Sequence, residues 1–180
     1  MKIIETALPG VFIIEPTVFG DERGFFLESF HAERYRDAGM DMAFVQDNHS
    51  RSRKGVLRGL HFQRLHPQGK LVRASRGSIF DVAADIDPAS PSFGQYVGVT
   101  LSDENHRQMW IPPGYAHGFC VLSEVADFEY KCTDLYYPED EGGVLWSDPD
   151  LNIQWPITEP LLSAKDLALP SLADLAKHAR

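Results

Sequence analysis

Cysteine is scarce. The 180-residue chain carries two, Cys120 and Cys132, too few for the disulfide framework of a small secreted domain. Long hydrophobic runs are also missing: no stretch approaches the roughly 20 apolar residues of a membrane span. At the N-terminus, Met1-Lys2-Ile3-Ile4-Glu5 places an acid where a signal peptide needs an unbroken apolar run. A soluble cytoplasmic protein with reduced thiols is therefore expected. There is no linker, repeat or low-complexity tract, and a composition of 43% hydrophobic and 24% charged residues excludes disorder and collagen-like repetition. One domain over residues 1–180 is expected.

Positive charge is in deficit as well. Seventeen Lys and Arg face twenty-six Asp and Glu, a net −9, which argues against a chain that coats nucleic acid or anionic membrane with its whole surface. Acid in turn is absent from one stretch. Arg51 to Arg76 holds eight basic residues and no Asp or Glu, so the segment is +8 within a background of −17.

Short apolar or alternating runs, separated by turn residues, predict about ten strands: 11–14, 24–30, 44–49, 56–63, 71–75, 78–86, 96–101, 108–111, 118–122 and 127–133. Gly20-Asp21-Glu22-Arg23-Gly24 and Arg76-Gly77 read as hairpin turns. His31 to Ala38, ended by Gly39, reads as a short helix, and Ser171 as the cap of a second over Leu172–Ala179. Many strands with helices only near the ends predict an all-β fold, a jelly-roll or cupin-like β-sandwich barrel with short flanking helices, whose mouth or interior would hold a small ligand.

Two histidines lie in such strands. In Val56-Leu57-Arg58-Gly59-Leu60-His61-Phe62-Gln63, alternation puts Arg58 with Phe62 on one face and His61 on the other, unless Gly59 introduces a bulge. His61 would point into the sandwich, either as a satisfied core histidine or as a chemical group. Pro112-x-Gly114-x-x-His117 matches the second half of the cupin signature, whose turn presents a histidine to the barrel interior. The matching first half reads His61-Phe62-Gln63, without the second histidine and the glutamate of a metal cupin, so no required metal is expected.

Nine ordered motifs carry a more specific resemblance: Asp21-x-Arg23-Gly24-x-Phe26-x-Glu28, Gln46-Asp47-Asn48-His49-Ser50, Leu57-Arg58-Gly59-Leu60-His61, Gln68-Gly69-Lys70-Leu71-Val72, Asp81-Val82-Ala83, Pro112-x-Gly114-x-x-His117-Gly118-Phe119, Tyr130-Lys131-Cys132-Thr133, Trp146-x-Asp148-Pro149 and Ser163-Ala164-Lys165-Asp166. Together, from about Leu8 to Leu172, they closely resemble the dTDP-4-dehydrorhamnose 3,5-epimerase family of metal-free jelly-roll enzymes. Phe62 stands where that family often has Tyr.

The resemblance implies an isomerase of dTDP-rhamnose biosynthesis that inverts C3 and C5 of dTDP-4-dehydro-6-deoxy-D-glucose and needs no cofactor. Inverting a carbon beside a ketone requires a base, a stabiliser for the enolate and an acid on the opposite face. His61 is the candidate base. By resemblance Asp166 fixes its tautomer, Lys70 neutralises charge on the C4 oxygen and Tyr130 donates the returning proton. Read from the residues alone, Asp166 and Lys70 could equally be solvated charges and Tyr130 a core tyrosine. The resemblance further places Arg23, Glu28, Gln46, Asp47, Asn48, Arg58, Lys70, His117, Glu141 and Lys165 at substrate-binding positions, with Phe26 available for stacking. It also implies a homodimer in which Arg23 and Glu28 reach a neighbouring subunit through an exchanged N-terminal strand pair. Asp81, Trp146 and Asp148 read as structural.

Three other readings share parts of this pattern. A single-centre epimerase, acting at C3 or C5 of a dTDP-4-keto-6-deoxyhexose, would keep the same dyad. A non-catalytic module binding nucleic acid through the basic segment is disfavoured, because Phe62 is the one aromatic there. A metal cupin lacks ligands.

Overall fold

The computed structural model of the chain describes residues 1–41 and 43–178. In chain order the elements are β1 (Lys2–Glu5), β2 (Phe12–Glu15), β3 (Val18–Asp21), β4 (Gly24–Leu27), α1 (Ala32–Asp37), β5 (Gln46–Arg53), β6 (Leu57–Gln63), β7 (Lys70–Arg76), β8 (Ser78–Asp85), β9 (Tyr96–Ser102), β10 (Gln108–Ile111), β11 (Tyr115–Val121), β12 (Val125–Cys132), β13 (Glu141–Gly143), α2 (Ala164–Leu167) and α3 (Leu172–His178). The strands form a six-stranded sheet, β1-β2-β10-β7-β12-β5, and a five-stranded sheet, β13-β6-β11-β8-β9. Strand pairing within them is antiparallel, and the predicted jelly-roll, cupin-like sandwich results. Hairpin β3–β4 pairs only with itself.

Alternation decides what faces the interior. Val72 and Ala74 on β7, Met109 and Ile111 on β10, and Ala126 and Phe128 on β12 meet Ile79 and Ala83 on β8, Leu101 on β9, and Phe119 and Val121 on β11. Burying each large apolar side chain contributes about 2 kcal/mol. The same alternation carries Lys70 inward at the start of β7, and Tyr130 and Cys132 inward at the end of β12. Two smaller clusters seal the outer faces. Tyr35 of α1 packs with Ile14, Leu71 and Trp110 behind the six-stranded sheet. Leu172 of α3 packs with Leu60, Val82, Ala84 and Leu151 behind the five-stranded one.

Helix α1 is capped by His31, whose Nδ1 accepts from the Arg34 N–H, and Gly39 follows with φ 92°. Helix α3 begins at Leu172 as expected; its expected end at Ala179 lies outside the described residues. Two expectations change. Arg76-Gly77 does not close a hairpin: β7 and β8 belong to different sheets, and Gly77 (φ 72°) turns the chain from one to the other, packed so tightly that a Cβ would strike the Val125 carbonyl and Ser123 Oγ. The strand predicted over 44–49 starts at Gln46 and runs to Arg53. Its inward residues are Gln46, Asn48, Ser50 and Ser52, which face a polar cleft, so no apolar pattern marks its length.

Candidate active site

Strand β6 is where the sequence bends to make a site. His117 of β11 lies opposite His61, yet Phe119 lies opposite Arg58, so β6 advances three residues while β11 advances two. The extra residue forms a bulge. Gly59 (φ 123°) permits it, because a Cβ there would sit 2.6 Å from Gly118 Cα. Arg58 and His61 consequently both line one cleft, whereas Leu60 and Phe62 pack behind the sheet. Strict alternation, which sets Arg58 beside Phe62 and across from His61, is corrected by this bulge.

The cleft opens between the sheets with a volume of about 580 Å³ and continues into a recess of about 280 Å³. His61 Nε2 is 2.6 Å from Asp166 Oδ1. Asp166 arrives on α2, whose cap is Ser163: Ser163 Oγ accepts from the Asp166 N–H at 3.1 Å and donates to Asp166 Oδ2 at 2.8 Å. This segment crosses the cleft mouth as a strap, tied to the chain before β6 by the parallel bridge Val56–Leu161 and by backbone bonds from Leu57 N–H to Leu161 O and from Leu161 N–H to Gly55 O. Burial pushes the Asp166 carboxyl up, but hydrogen bonds from His61, Ser163 and the Gly59 N–H outweigh it and hold it below the usual aspartate range. The other imidazole nitrogen, Nδ1, lies 3.9 Å from Glu141 Oε1.

Facing this dyad are Lys70 and Tyr130. The Lys70 ammonium lies 5.9 Å from the Tyr130 ring centre and has no hydrogen bond or ion pair among the described residues. Burial lowers its pKa, opposed by the neighbouring Cys132, Glu141 and Asp81. Burial likewise pushes the Tyr130 phenol up to about 12, so it holds its proton at neutral pH. Its hydroxyl also lacks a partner among the described residues. At the floor, His117 Nε2 is 2.9 Å from Asp81 Oδ1.

Cations and hydrogen-bonding groups line the rest. Arg58 reaches Ser52 Oγ through Nε and Nη2. Lys165 Nζ lies 2.5 Å from Glu141 Oε2, which also accepts from the Tyr136 hydroxyl at 2.5 Å. Burial raises the Glu141 carboxyl, but these two bonds prevail and lower it. Gln46 and Asn48 line the recess and bond to each other at 3.1 Å.

Four expected residues lie elsewhere in the chain. Asp47 alternates outward on β5, and its side chain pairs with Lys131 at 3.0 Å on the outer sheet face. Arg23 pairs with Asp21 in the β3–β4 turn, Glu28 with Arg34, and Phe26 is 68% exposed. None of these three lines the cleft of its own chain: the β3–β4 hairpin lies instead beside Arg73, Ala74 and Ser75 of β7, with Phe25 against the His106 ring at 4.6 Å, and Glu28 follows it.

Other residues enter to which the sequence alone assigns no part in the site. Tyr136, half exposed at the mouth, follows β12 in an irregular stretch with no periodic signal. Arg53 lines the cleft with no carboxylate in ion-pair range among the described residues, and the acid-free stretch is its one signal. Asp81 reads as structural until the floor is seen. Ser163 is visible in Ser-x-x-Asp, a helix-start pattern.

A base fixed by a carboxylate, an ammonium and a half-buried phenol converge on one cleft, and they place the chain among jelly-roll proteins equipped for proton transfer. Comparison with known proteins narrows the class. The family model described as dTDP-4-dehydrorhamnose 3,5-epimerase matches residues 5–174, and the chain belongs to that family. It is 59% identical over 170 residues to the dTDP-4-dehydrorhamnose 3,5-epimerase of Shigella flexneri, covering 93% of each chain. The crystal structure of a dTDP-6-deoxy-D-glucose-3,5-epimerase from Legionella pneumophila, in complex with dTDP-4-keto-L-rhamnose, superposes with a TM-score of 0.93 at 57% identity, covering 97% of this chain and 96% of that one. A more distant relative, the 3′-monoepimerase ChmJ from Streptomyces bikiniensis in complex with dTDP-quinovose, has a TM-score of 0.92 at 34% identity over 97% of this chain and 89% of its own.

Proposed function

We propose that the chain is an isomerase that inverts C3 and C5 of dTDP-4-dehydro-6-deoxy-D-glucose to give dTDP-4-dehydro-L-rhamnose, working as a single domain over residues 1–180. The observation that carries the reading is the His61–Asp166 pair at 2.6 Å, which faces Lys70 and Tyr130 across one cleft. Asp166 accepts the Nε2–H and leaves the Nδ1 lone pair to take a proton from the carbon beside the C4 ketone. The C–H electron pair passes into the enolate, and the C4 oxygen becomes anionic. The Lys70 ammonium, which has no carboxylate in ion-pair range among the described residues, stabilises that oxygen in a water-poor site. Tyr130 then gives its phenolic proton to the opposite face of the carbon, the enolate collapses to the ketone, and solvent returns a proton to Tyr130. His61 loses its proton before the second centre reacts. Arg53, Arg58 and Lys165 supply the guanidinium and ammonium charge that a diphosphate requires, and Tyr136 a flat surface at the mouth for a base.

The same reading makes the molecule a homodimer. Arg23 and Phe26 on the β3–β4 hairpin, and Glu28 just after it, do not line their own cleft, and the hairpin also exposes Phe19 and Phe25 by 63% and 62%. Exchange of the N-terminal strand pair would bring Arg23 and Glu28 to a neighbour's site and cover these rings. Among the described residues no helix is long and apolar enough to cross a membrane. With two buried free thiols, that supports a cytoplasmic setting.

Turnover of dTDP-4-keto-6-deoxyglucose in deuterium oxide tests the assignment. Label at both C3 and C5 is expected. Label at one carbon alone assigns the single-centre activity that ChmJ's name describes, and no label with no conversion overturns the epimerase reading.

A further inference from the structure

The inner face of β8 is apolar at Ile79 and Ala83, and between them stands Asp81, fully buried. A carboxylate in that place breaks the strand pattern, and such breaks mark functional sites. Its Oδ1 is engaged by His117, but its Oδ2 has no hydrogen-bond partner among the described residues. A merely structural acid at a sandwich core would be poorly chosen, since an unpartnered buried oxygen is destabilising and an apolar residue of similar size would not be.

The partner of Asp81 sits beside the base. His117 and His61 are directly opposed across β11 and β6, which brings their side chains together on one face. Each gives Nε2 to a buried aspartate. The His117 ring is further held against Phe128, 5.9 Å between centres and 19° between planes. Because Asp81 accepts the Nε2–H, the other nitrogen, Nδ1, carries a lone pair. That atom has no protein partner among the described residues, and His117 lines the cleft. A nitrogen lone pair accepts hydrogen bonds; a diphosphate, which offers only acceptors, is the wrong ligand for it, and a sugar hydroxyl is the right one.

We propose that Asp81 is a positioning residue: by fixing the tautomer and tilt of His117 it makes Nδ1 an acceptor for a hydroxyl of the hexose, and so seats the sugar ring over His61. This deepens the reading of the site as an epimerase of a sugar nucleotide and rests on it. Asp81 touches no substrate and acts through His117. It therefore governs how the sugar is held, while the diphosphate is left to the arginines and lysines.

The test compares Asp81→Asn and His117→Asn with the wild type, using dTDP-4-keto-6-deoxyglucose for turnover and two unreactive probes, dTDP and dTDP-glucose, for binding by calorimetry. An asparagine at 81 donates to Nε2 and turns Nδ1 into a donor. KM for the substrate and Kd for dTDP-glucose are expected to rise about tenfold, the upper end of what one neutral hydrogen bond is worth, with Kd for dTDP within twofold of wild type. The pH profile of kcat is expected to stay in place. The double variant is expected to be no worse than His117→Asn alone. Equal weakening of dTDP and dTDP-glucose would overturn the proposal by placing His117 on the diphosphate. Unchanged KM, or additive losses in the double variant, would overturn it by making Asp81 structural. Should Asp81→Asn fail to fold, His117→Asn decides by itself: selective loss of dTDP-glucose binding supports the sugar contact, and equal loss of both probes overturns it. Failure of the epimerase reading itself is seen separately, as a wild-type protein that does not turn over the keto sugar.

Discussion

His61 keeps one nitrogen free because Asp166 occupies the other, and the chemistry of single residues follows from that division. Removing the base, as in His61→Ala, is expected to lower kcat about 10²–10⁴-fold, read by coupled turnover with dTDP-4-keto-6-deoxyglucose. Tyr130→Phe separates the two halves of the reaction. The base still removes the proton, but the opposite face has no donor, so deuterium is expected to enter from solvent in excess of inverted product, as NMR of the recovered sugar would show. The opposite order, inversion without excess exchange, would remove Tyr130 from the donor role. Much of this is legible in the chain: His61, Lys70, Tyr130 and Asp166 each sit in a motif, although the dyad partners lie 105 residues apart. What escapes is set by neighbours in space. Asp81 looks structural until its oxygen is found beneath His117, and Asp47 looks like its flanking Gln46 and Asn48 until alternation turns it outward.

Elements show the same boundary between what a pattern carries and what pairing decides. Strands with an apolar inner face are predicted within a few residues. The pattern misses β1, β3 and β13, the last a Glu-Gly-Gly segment that β6 recruits by backbone pairing. Strand β5 is legible only in part, because its inner side is polar and its outer side is an ion-pair ladder with β12. There Arg51 meets Asp127 in two bonds of 2.6 and 2.8 Å, and with His49 they hold the Asp127 carboxyl at about 2. A carboxylate whose native pKa is depressed adds stability above its unfolded value, near 4, and loses it as pH falls toward the native value. Arg51→Gln is therefore expected to melt below the wild type at pH 7, with the gap closing between about pH 4 and 2 in thermal scans. At the other end of the chain Asp148 accepts from the N–H groups of Asp150, Leu151 and Leu172 and so docks α3. Asp148→Ala strands three donors, two of them in buried residues, and is expected to destabilise the fold by about 3 kcal/mol in denaturant titration.

For the whole molecule, the net charge of −9 proves a poor guide to the site. The acid-free stretch does not form a basic patch. Arg51, Lys54 and Arg73 are neutralised by Asp127, Glu124 and Glu129, while Arg53, Arg58 and Lys70 turn to the cleft without such partners among the described residues. Concentrating the unpaired cations there gives a local field opposed to the average, so substrate KM is expected to rise with salt between about 50 and 500 mM, roughly over the range where the screening length falls below 10 Å. A flat salt profile would mean that these cations do not meet the diphosphate. Dimerisation belongs to this scale as well: sedimentation is expected to show a dimer, and mixing inactive Arg23→Ala with inactive His61→Ala chains is expected to restore activity by forming one intact mixed site.

The strap that brings Asp166 to His61 also sets an order in time. On the ribosome the base is made first and its carboxylate 105 residues later, an interval of about 5–20 s at ordinary elongation rates. Through that interval both sheets become available to pair, yet the imidazole has no partner to orient it. A chain stalled before residue 160 would carry His61 and the strands of both sheets but not Asp166, so the base waits for its carboxylate until α2 is made.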